Sequence, residues 1–438
     1  MIMRHQCRRV RSLCSHSAYI TSRPITSLSR PPSILPTNVL IEEERVPGYR
    51  PEFYYPAHPG EVLDDRYKIL TKIGWGTAST VWLARDLERS RVPDRYVTLK
   101  IATSNPDYDD MVLHELDINK RLAKDTSIAG FAFVRAAIDD FIATSPTGAT
   151  HLCLVFEAMR EPLSQLQHRL VGDAIPPQLL KVHVDFILQG LDYLHSECQV
   201  IHTDLKADNI LMSFEDPSVL GEYVEAQGDH PMPRKRVGDQ TIYLSHNNFG
   251  TLKSYLMLPK IVDFGLAHRG DGEKPLRHPI QPPLYHAPEV LLGVPWTYSV
   301  DIWNLGVLLF ELLEDKELFA HLKSQNGVYT ARAHIAEMIA IFGPPPQKLI
   351  DREKLWRDIP WERSFPGPNG AWCDTARSFK HPEIIPTNVK LDDCITCMVG
   401  EEKALFLKFV RRMLQWVPED RSTAKELRDD PWLQSGLA

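Results

Sequence analysis

Cysteine is scarce here: seven in 438 residues, an odd number and widely scattered. No disulfide framework is implied, and a reducing compartment fits. No stretch approaches the roughly 18 uncharged apolar residues that a membrane-spanning helix needs. Acid is absent from residues 1–41, which hold six arginines, whereas residues 42–438 carry 44 bases against 57 acids. A body that acidic argues against nucleic acid as a direct partner and allows basic peptide ligands. Serine, threonine and tyrosine are all missing from residues 264–284. At 43% hydrophobic residues the chain is too apolar to be disordered, and its length allows one large or two moderate domains.

Residues 1–41 form a basic leader. Arg4, Arg8, Arg9, Arg11, Arg23 and Arg30 sit among serines, and Pro31, Pro32 and Pro36 close the segment. That composition matches a mitochondrial transit peptide, or else a plain disordered tail. Residues 42–66 read as a lead-in, with folded sequence expected from about Arg66. Residues 67–73, 79–85, 96–102 and 151–156 are strand candidates, rich in β-branched and aromatic residues, and 109–123 is a helix among them. After Gln165 the apolar spacing turns helical, over 179–195, 300–313, 330–342 and 403–415. The order predicts an α+β fold in two lobes, a strand-rich 67–160 and a helical 161–434. Residues 215–255 are polar and turn-rich and read as an insertion; 344–346 and 360–374 read as surface loops.

Ile73, Gly74, Trp75, Gly76, Thr77, Ala78, Ser79, Thr80 and Val81 lie between two strand candidates. Two glycines one residue apart let backbone amides approach phosphate oxygens, although a hairpin turn reads the same way. Lys100 closes the next strand. Its charge needs a partner if buried, and Glu115 on the following helix is the best carboxylate. The run Ile201-His202-Thr203-Asp204-Leu205-Lys206-Ala207-Asp208-Asn209 puts a polar loop between apolar pairs. Asp204 can take a proton from a hydroxyl, Asn209 offers an amide oxygen to a hard cation, and Lys206 can neutralise phosphoryl charge. Asp263, before Phe264 and Gly265 at the end of an apolar run, suits Mg²⁺.

These pieces in this order resemble the eukaryotic protein kinases, over about residues 67–433. Ala287-Pro288-Glu289, Asp301 and Arg421 complete the likeness, and Lys206 places it in the serine/threonine branch. Gly74-Trp75-Gly76, the His202-Thr203-Asp204 loop and the 54 positions from Asn209 to Asp263 resemble SR-protein kinases. Residues 156–162, 281–290 and 324–329 resemble a fungal branch of that group. The resemblance implies a two-lobed kinase fold and transfer of the ATP γ-phosphate to protein serine or threonine. It implies that Ile73, Gly74, Trp75, Gly76, Thr77, Ala78, Ser79 and Val81 cover ATP, and that Lys100, paired with Glu115, holds its phosphates. Glu157 and Met159 give backbone hydrogen bonds to adenine beside Phe156. Asp204, Lys206 and Asn209 are catalytic, with Asn209 and Asp263 on Mg²⁺. Glu289 and Arg421 form a buried ion pair.

Several positions depart from the family pattern. Thr203 stands where most kinases carry an arginine, Pro282 replaces a threonine that bridges Asp204 and Lys206, and Asn119 replaces an apolar residue. A pseudokinase, a scaffold binding nucleotide or partner proteins without catalysis, is the alternative they support. Protein substrates, Arg/Ser-rich ones among them, are the expected partners of an expected monomer in cytoplasm or nucleus, unless the leader directs mitochondrial import. No acidic cluster for docking Arg/Ser repeats stands near Ala331-Arg332-Ala333. Cys394 and Cys397 lack the second pair a zinc site needs, and Arg234-Lys235-Arg236 reads as a solvated patch or, less often, a nuclear-import signal.

Overall fold

The computed structural model describes residues 33–88, 95–229, 231–238, 240–255, 257–322, 327–357, 359 and 379–435. Residues 1–32 of the basic leader, Ser324, Gln325, Asn326 and the 360–374 loop therefore lie outside the described residues.

Six strands build the first lobe: β1 (Val62–Leu63), β2 (Tyr67–Gly76), β3 (Ser79–Asp86), β4 (Tyr96–Ala102), β5 (Asp139–Thr144) and β6 (Thr150–Glu157). They form one antiparallel sheet in the order β1-β2-β3-β4-β6-β5. Helix α1 (Asp109–Leu122) crosses between β4 and β5. Asp109 and Asp110 stand in its first turn and Lys120 and Arg121 in its last, so its charges complement the helix dipole.

The second lobe is helical. It holds α2 (Leu163–Gln167) and α3 (Pro177–Asp192), then the short strands β7 (Val200–Ile201) and β8 (Ile210–Met212) that carry the catalytic-type loop between them. Next come α4 (Pro217–Asp229), β9 (Arg234–Val237), β10 (Gln240–Tyr243), β11 (Pro259–Ile261) and β12 (His268–Arg269). The lobe closes with α5 (Pro288–Leu291), α6 (Ser299–Glu314), α7 (Ala331–Phe342), α8 (Gln347–Arg357), α9 (Gly400–Arg411), α10 (Ala424–Arg428) and α11 (Pro431–Gln434). Helices α3 and α6 are buried nearly all round, as the central helices of a large core must be. Pairing of β11 with β8 and of β12 with β7 brings Asp263 against the loop that bears Asp204.

Two expectations need correction. Folded structure begins well before Arg66. Glu42, Glu43 and Glu44 form a buried turn, and Lys72 of β2 binds Glu43 and the Tyr243 carbonyl. The basic trio is solvated only at Arg234 and Arg236, not at its middle residue. Strand β9 alternates outward and inward, so Lys235 is 1% exposed and its Nζ lies 2.6 Å from Glu44. The 215–255 segment is likewise ordered. Val219, Leu220 and Tyr223 of α4 pack with Leu83 and Phe249, and Met232 and Tyr243 join the core of the sheet.

Candidate active site

A cleft of about 470 Å³ opens between the lobes. Its lining includes Ile73, Gly74, Trp75, Gly76, Thr77, Ala78, Ser79, Val81, Lys100, Glu115, Met159, Asn209 and Asp263. Residues as far apart in the chain as Ile73 and Asp263 thus face one space. The glycine segment is itself part of the hairpin: β2 runs through Gly76 and pairs with Ser79 of β3.

Lys100 Nζ sits 2.6 Å from Glu115 Oε1 and 3.2 Å from Asp263 Oδ1. Burial opposes its charge, but Asp263 and Glu115 outweigh that and raise the ammonium above its ordinary value. Lys100 in turn holds the Asp263 carboxyl below the usual range, so Asp263 is an anion at neutral pH.

Asp204 accepts from Lys206 Nζ at 2.8 Å and from Asn209 Nδ2 at 2.7 Å, both on Oδ2. Asn209 Nδ2 also donates to the Asp204 carbonyl at 2.8 Å. The amide nitrogen is thereby spent within the loop, leaving Asn209 Oδ1 for a cation. The Asn209 carbonyl accepts from the Val262 N–H at 3.0 Å, which ties this loop to the residue before Asp263. An acidic oxygen and an amide oxygen fit Mg²⁺, which takes few protein ligands and completes its shell with phosphate and water.

The loop is held under strain. Thr203 and Asp263 both have left-handed backbone, at φ 66° and 64°, unusual for non-glycine residues and especially for a β-branched one. Asp301, fully buried, accepts from the His202 and Thr203 amides at 2.8 Å each. The Thr203 hydroxyl donates to the Leu266 carbonyl at 2.6 Å.

Helix α1 is fastened to the segment after Asp263 at two points. His114 Nε2 lies 2.6 Å from the Ala267 carbonyl, and Arg121 donates to Asp271 at 2.7 Å. Gly270 packs so closely on Tyr298 that an added Cβ would stand 2.3 Å from its ring. Farther along, Glu289 and Arg421 form the expected bidentate pair, 2.6 Å on each arm and wholly buried.

Two departures from the family pattern have local explanations. Asn119 is buried yet satisfied, donating to the Glu115 carbonyl and accepting from the Ala137 N–H, both at 2.9 Å. Lys206 reaches Asp204 directly, without a bridging threonine at Pro282. Three of the sequence-derived site residues, Asp204, Lys206 and Glu157, are not among those lining the cleft, and Glu157 has other partners. Its carboxylate turns to Lys260 at 2.5 Å, and its carbonyl already accepts from Arg135. Sequence reasoning passed over Arg135, Thr98, His114, Arg121 and Asp271. A cation inside the apolar run from Phe131 to Ile138 was the available signal for Arg135. The others had none.

Among the described residues no cluster of three or more His, Cys, Asp or Glu could hold a metal, and no helix is long and apolar enough to cross a membrane. Cys394 and Cys397 are free thiols.

A strand-rich lobe, a helical lobe and this cleft between them define a protein kinase fold. The chain belongs to the protein kinase domain family, which matches residues 67–433. It is 37% identical over 416 residues to a serine/threonine protein kinase of Aspergillus fumigatus, covering 94% of this chain and 95% of that one. The serine/threonine-protein kinase SRPK of Physarum polycephalum is 29% identical over 415 residues, 90% of this chain and 91% of the relative. Among solved structures, a kinase domain superposes with a TM-score of 0.65 at 22% identity, covering 87% of this chain and 99% of that chain.

Proposed function

We propose that the protein is a catalytically active serine/threonine kinase that transfers the γ-phosphoryl group of Mg-ATP to protein substrates. The observation that carries this reading is a linked constellation at the cleft: Asn209 of the cleft lining bonds to Asp204, which Lys206 also binds, and the Asn209 carbonyl ties that loop to Val262, next to the Asp263 that contacts Lys100 of the Lys100–Glu115 pair. Asn209 Oδ1 and the Asp263 carboxylate would hold the magnesium, whose charge offsets that on the phosphates. Asp204 orients the substrate hydroxyl and takes its proton as the oxygen–phosphorus bond forms and the bond to the β-phosphate oxygen breaks, releasing ADP. Lys206 beside it neutralises charge on the phosphoryl group in flight. Lys100 positions the nucleotide phosphates, the hairpin from Ile73 to Val81 covers them, and the Met159 backbone faces the base. Little covalent work falls to the protein; placement and charge supply the rate.

For substrates we propose Arg/Ser-rich proteins. The similarity to relatives named as SRPK and SRSF protein kinases and the excess of 57 acids over 44 bases in residues 42–438 support that class. A scaffold without catalysis remains the contrasting reading, and the replaced residues Asn119 and Pro282 are what favoured it. Labelling of a mixed peptide library with purified protein and Mg-ATP tests both. Transfer to Arg-flanked serines, weakening as salt rises, is the expected result, whereas no transfer to any peptide refutes the catalytic reading.

A further inference from the structure

The inner end of the cleft carries a cation that the proposed chemistry does not use. Arg135 lines the cleft beside Phe156, with its guanidinium 4.9 Å from the Phe156 ring centre. Its Nε and Nη2 donate to the Glu157 carbonyl at 3.0 and 2.6 Å. Thr98 also lines this space, opposite Phe156 across the β4–β6 ladder. Its hydroxyl is buried and has no hydrogen-bond partner. On this inner wall the guanidinium can only donate, whereas the Thr98 hydroxyl can donate or accept.

The 6-amino group of adenine is a donor. The acceptor it would use, the Glu157 carbonyl, already takes two N–H bonds from a group that has donors and no acceptor. A purine with a carbonyl at C6 meets the opposite situation. Its oxygen can accept from the guanidinium, and charge-assisted bonds of that kind are short and strong. Arginine facing O6 and N7 is also the commonest specific contact to guanine. Burial pushes the Arg135 guanidinium down to about 10, so it remains a cation at neutral pH.

We propose that Arg135 sets the base preference of this site, so that it accepts 6-oxopurine triphosphates at least as readily as ATP. This rests on the reading of the cleft as a nucleotide site and extends it to the identity of the donor. The charge-assisted stacking on Phe156 fixes the guanidinium in place, so discrimination does not wait on rearrangement of the side chain.

The test compares Mg-bound ATP, inosine triphosphate and guanosine triphosphate by calorimetry on the full chain and as phosphoryl donors to one peptide. Inosine triphosphate is the sharper probe, since its base lacks the 2-amino group and differs from adenine at N1 and C6. Expected is an inosine triphosphate affinity equal to or above that of ATP. Arg135→Met, which keeps an unbranched stem and removes the donors, should shift the ratio towards ATP by about 5–150-fold, the discrimination one such contact supplies. Arg135→Lys, which keeps the charge, should shift it less. A parent protein that prefers ATP overturns the inference while leaving the kinase reading intact, and so does a ratio that the Arg135→Met variant leaves unchanged. Failure to bind any of the three nucleotides overturns both. The parent's own ratio decides the matter even if a variant does not fold.

Discussion

Lys235→Met removes the buried cation that joins the lead-in segment to the insertion. In the parent, Lys235 Nζ lies 2.6 Å from Glu44 and 2.6 Å from the Val39 carbonyl, with its side chain wholly buried. Methionine fills a similar volume but leaves the Glu44 carboxylate with the Ile41 N–H at 2.8 Å and no cation of its own. Breaking a buried pair in this way costs about 3–5 kcal/mol. Unfolding entropy of about 2.1 cal/mol/K per residue, over the roughly 370 residues of the kinase domain, gives about 0.8 kcal/mol/K. The expected fall in melting temperature is therefore about 4–6 °C. Thermal denaturation followed by circular dichroism measures it, and limited proteolysis shows whether the chain around Val39 becomes cleavable first. Lys235→Met combined with Glu44→Leu should recover most of the loss, because no charge is then stranded. A single variant that melts within a degree of the parent and resists protease would refute the buried clamp.

Asp263→Ala should abolish productive Mg-nucleotide binding, since the site keeps one amide oxygen and no carboxylate; equal affinities for variant and parent in titrations with Mg²⁺ would dismiss that role. Activity should survive phosphatase treatment, because no hydroxyl lies between Asp263 and Tyr285 and Asp271 already supplies a carboxylate to Arg121; protein that needs an upstream kinase acting on this segment would contradict this. Acid should loosen the segment after Asp263. Burial first, then His278 and His114, lower the His268 imidazole to about 4, and its Nε2 shares one hydrogen bond with His278 Nε2 at 2.9 Å. An unfolded histidine takes its proton near pH 6.5, so stability is flat above that and declines as pH falls towards 4. His268→Gln should flatten the decline, and an unchanged melting profile across that range would count against it.

How much of this was readable in the sequence depends on where the determinants lie. Strands 67–73, 79–85 and 96–102 and the helix from Asp109 announce themselves by local periodicity, and their ends in the structure lie within three residues of those expected. The residues now found around the cleft were legible because their order along the chain carries the information. Strand β5 escaped notice because Asp139 and Asp140 open it, and an edge strand can carry charge without violating any local rule. Glu42, Glu43 and Glu44 look like solvent-facing acids, and Lys235 looks like part of a basic patch. Only the tertiary meeting of Lys72, Lys235 and these carboxylates explains their burial. Arg135 belongs to the same class: its partner is a backbone carbonyl 22 residues away in sequence, and no spacing rule points there.

The most direct test of the central claim is a matched pair of purified proteins, parent and Asp204→Asn, assayed for Mg-nucleotide-dependent phosphorylation of one Arg-flanked serine peptide. Asparagine keeps the shape held by Lys206 and Asn209 and removes the basicity. The expected result is measurable transfer by the parent, a fall of about 10²–10⁴-fold in the variant, and nucleotide binding retained in both. Equal turnover by the two proteins, or no transfer by a parent that binds nucleotide, would contradict the account.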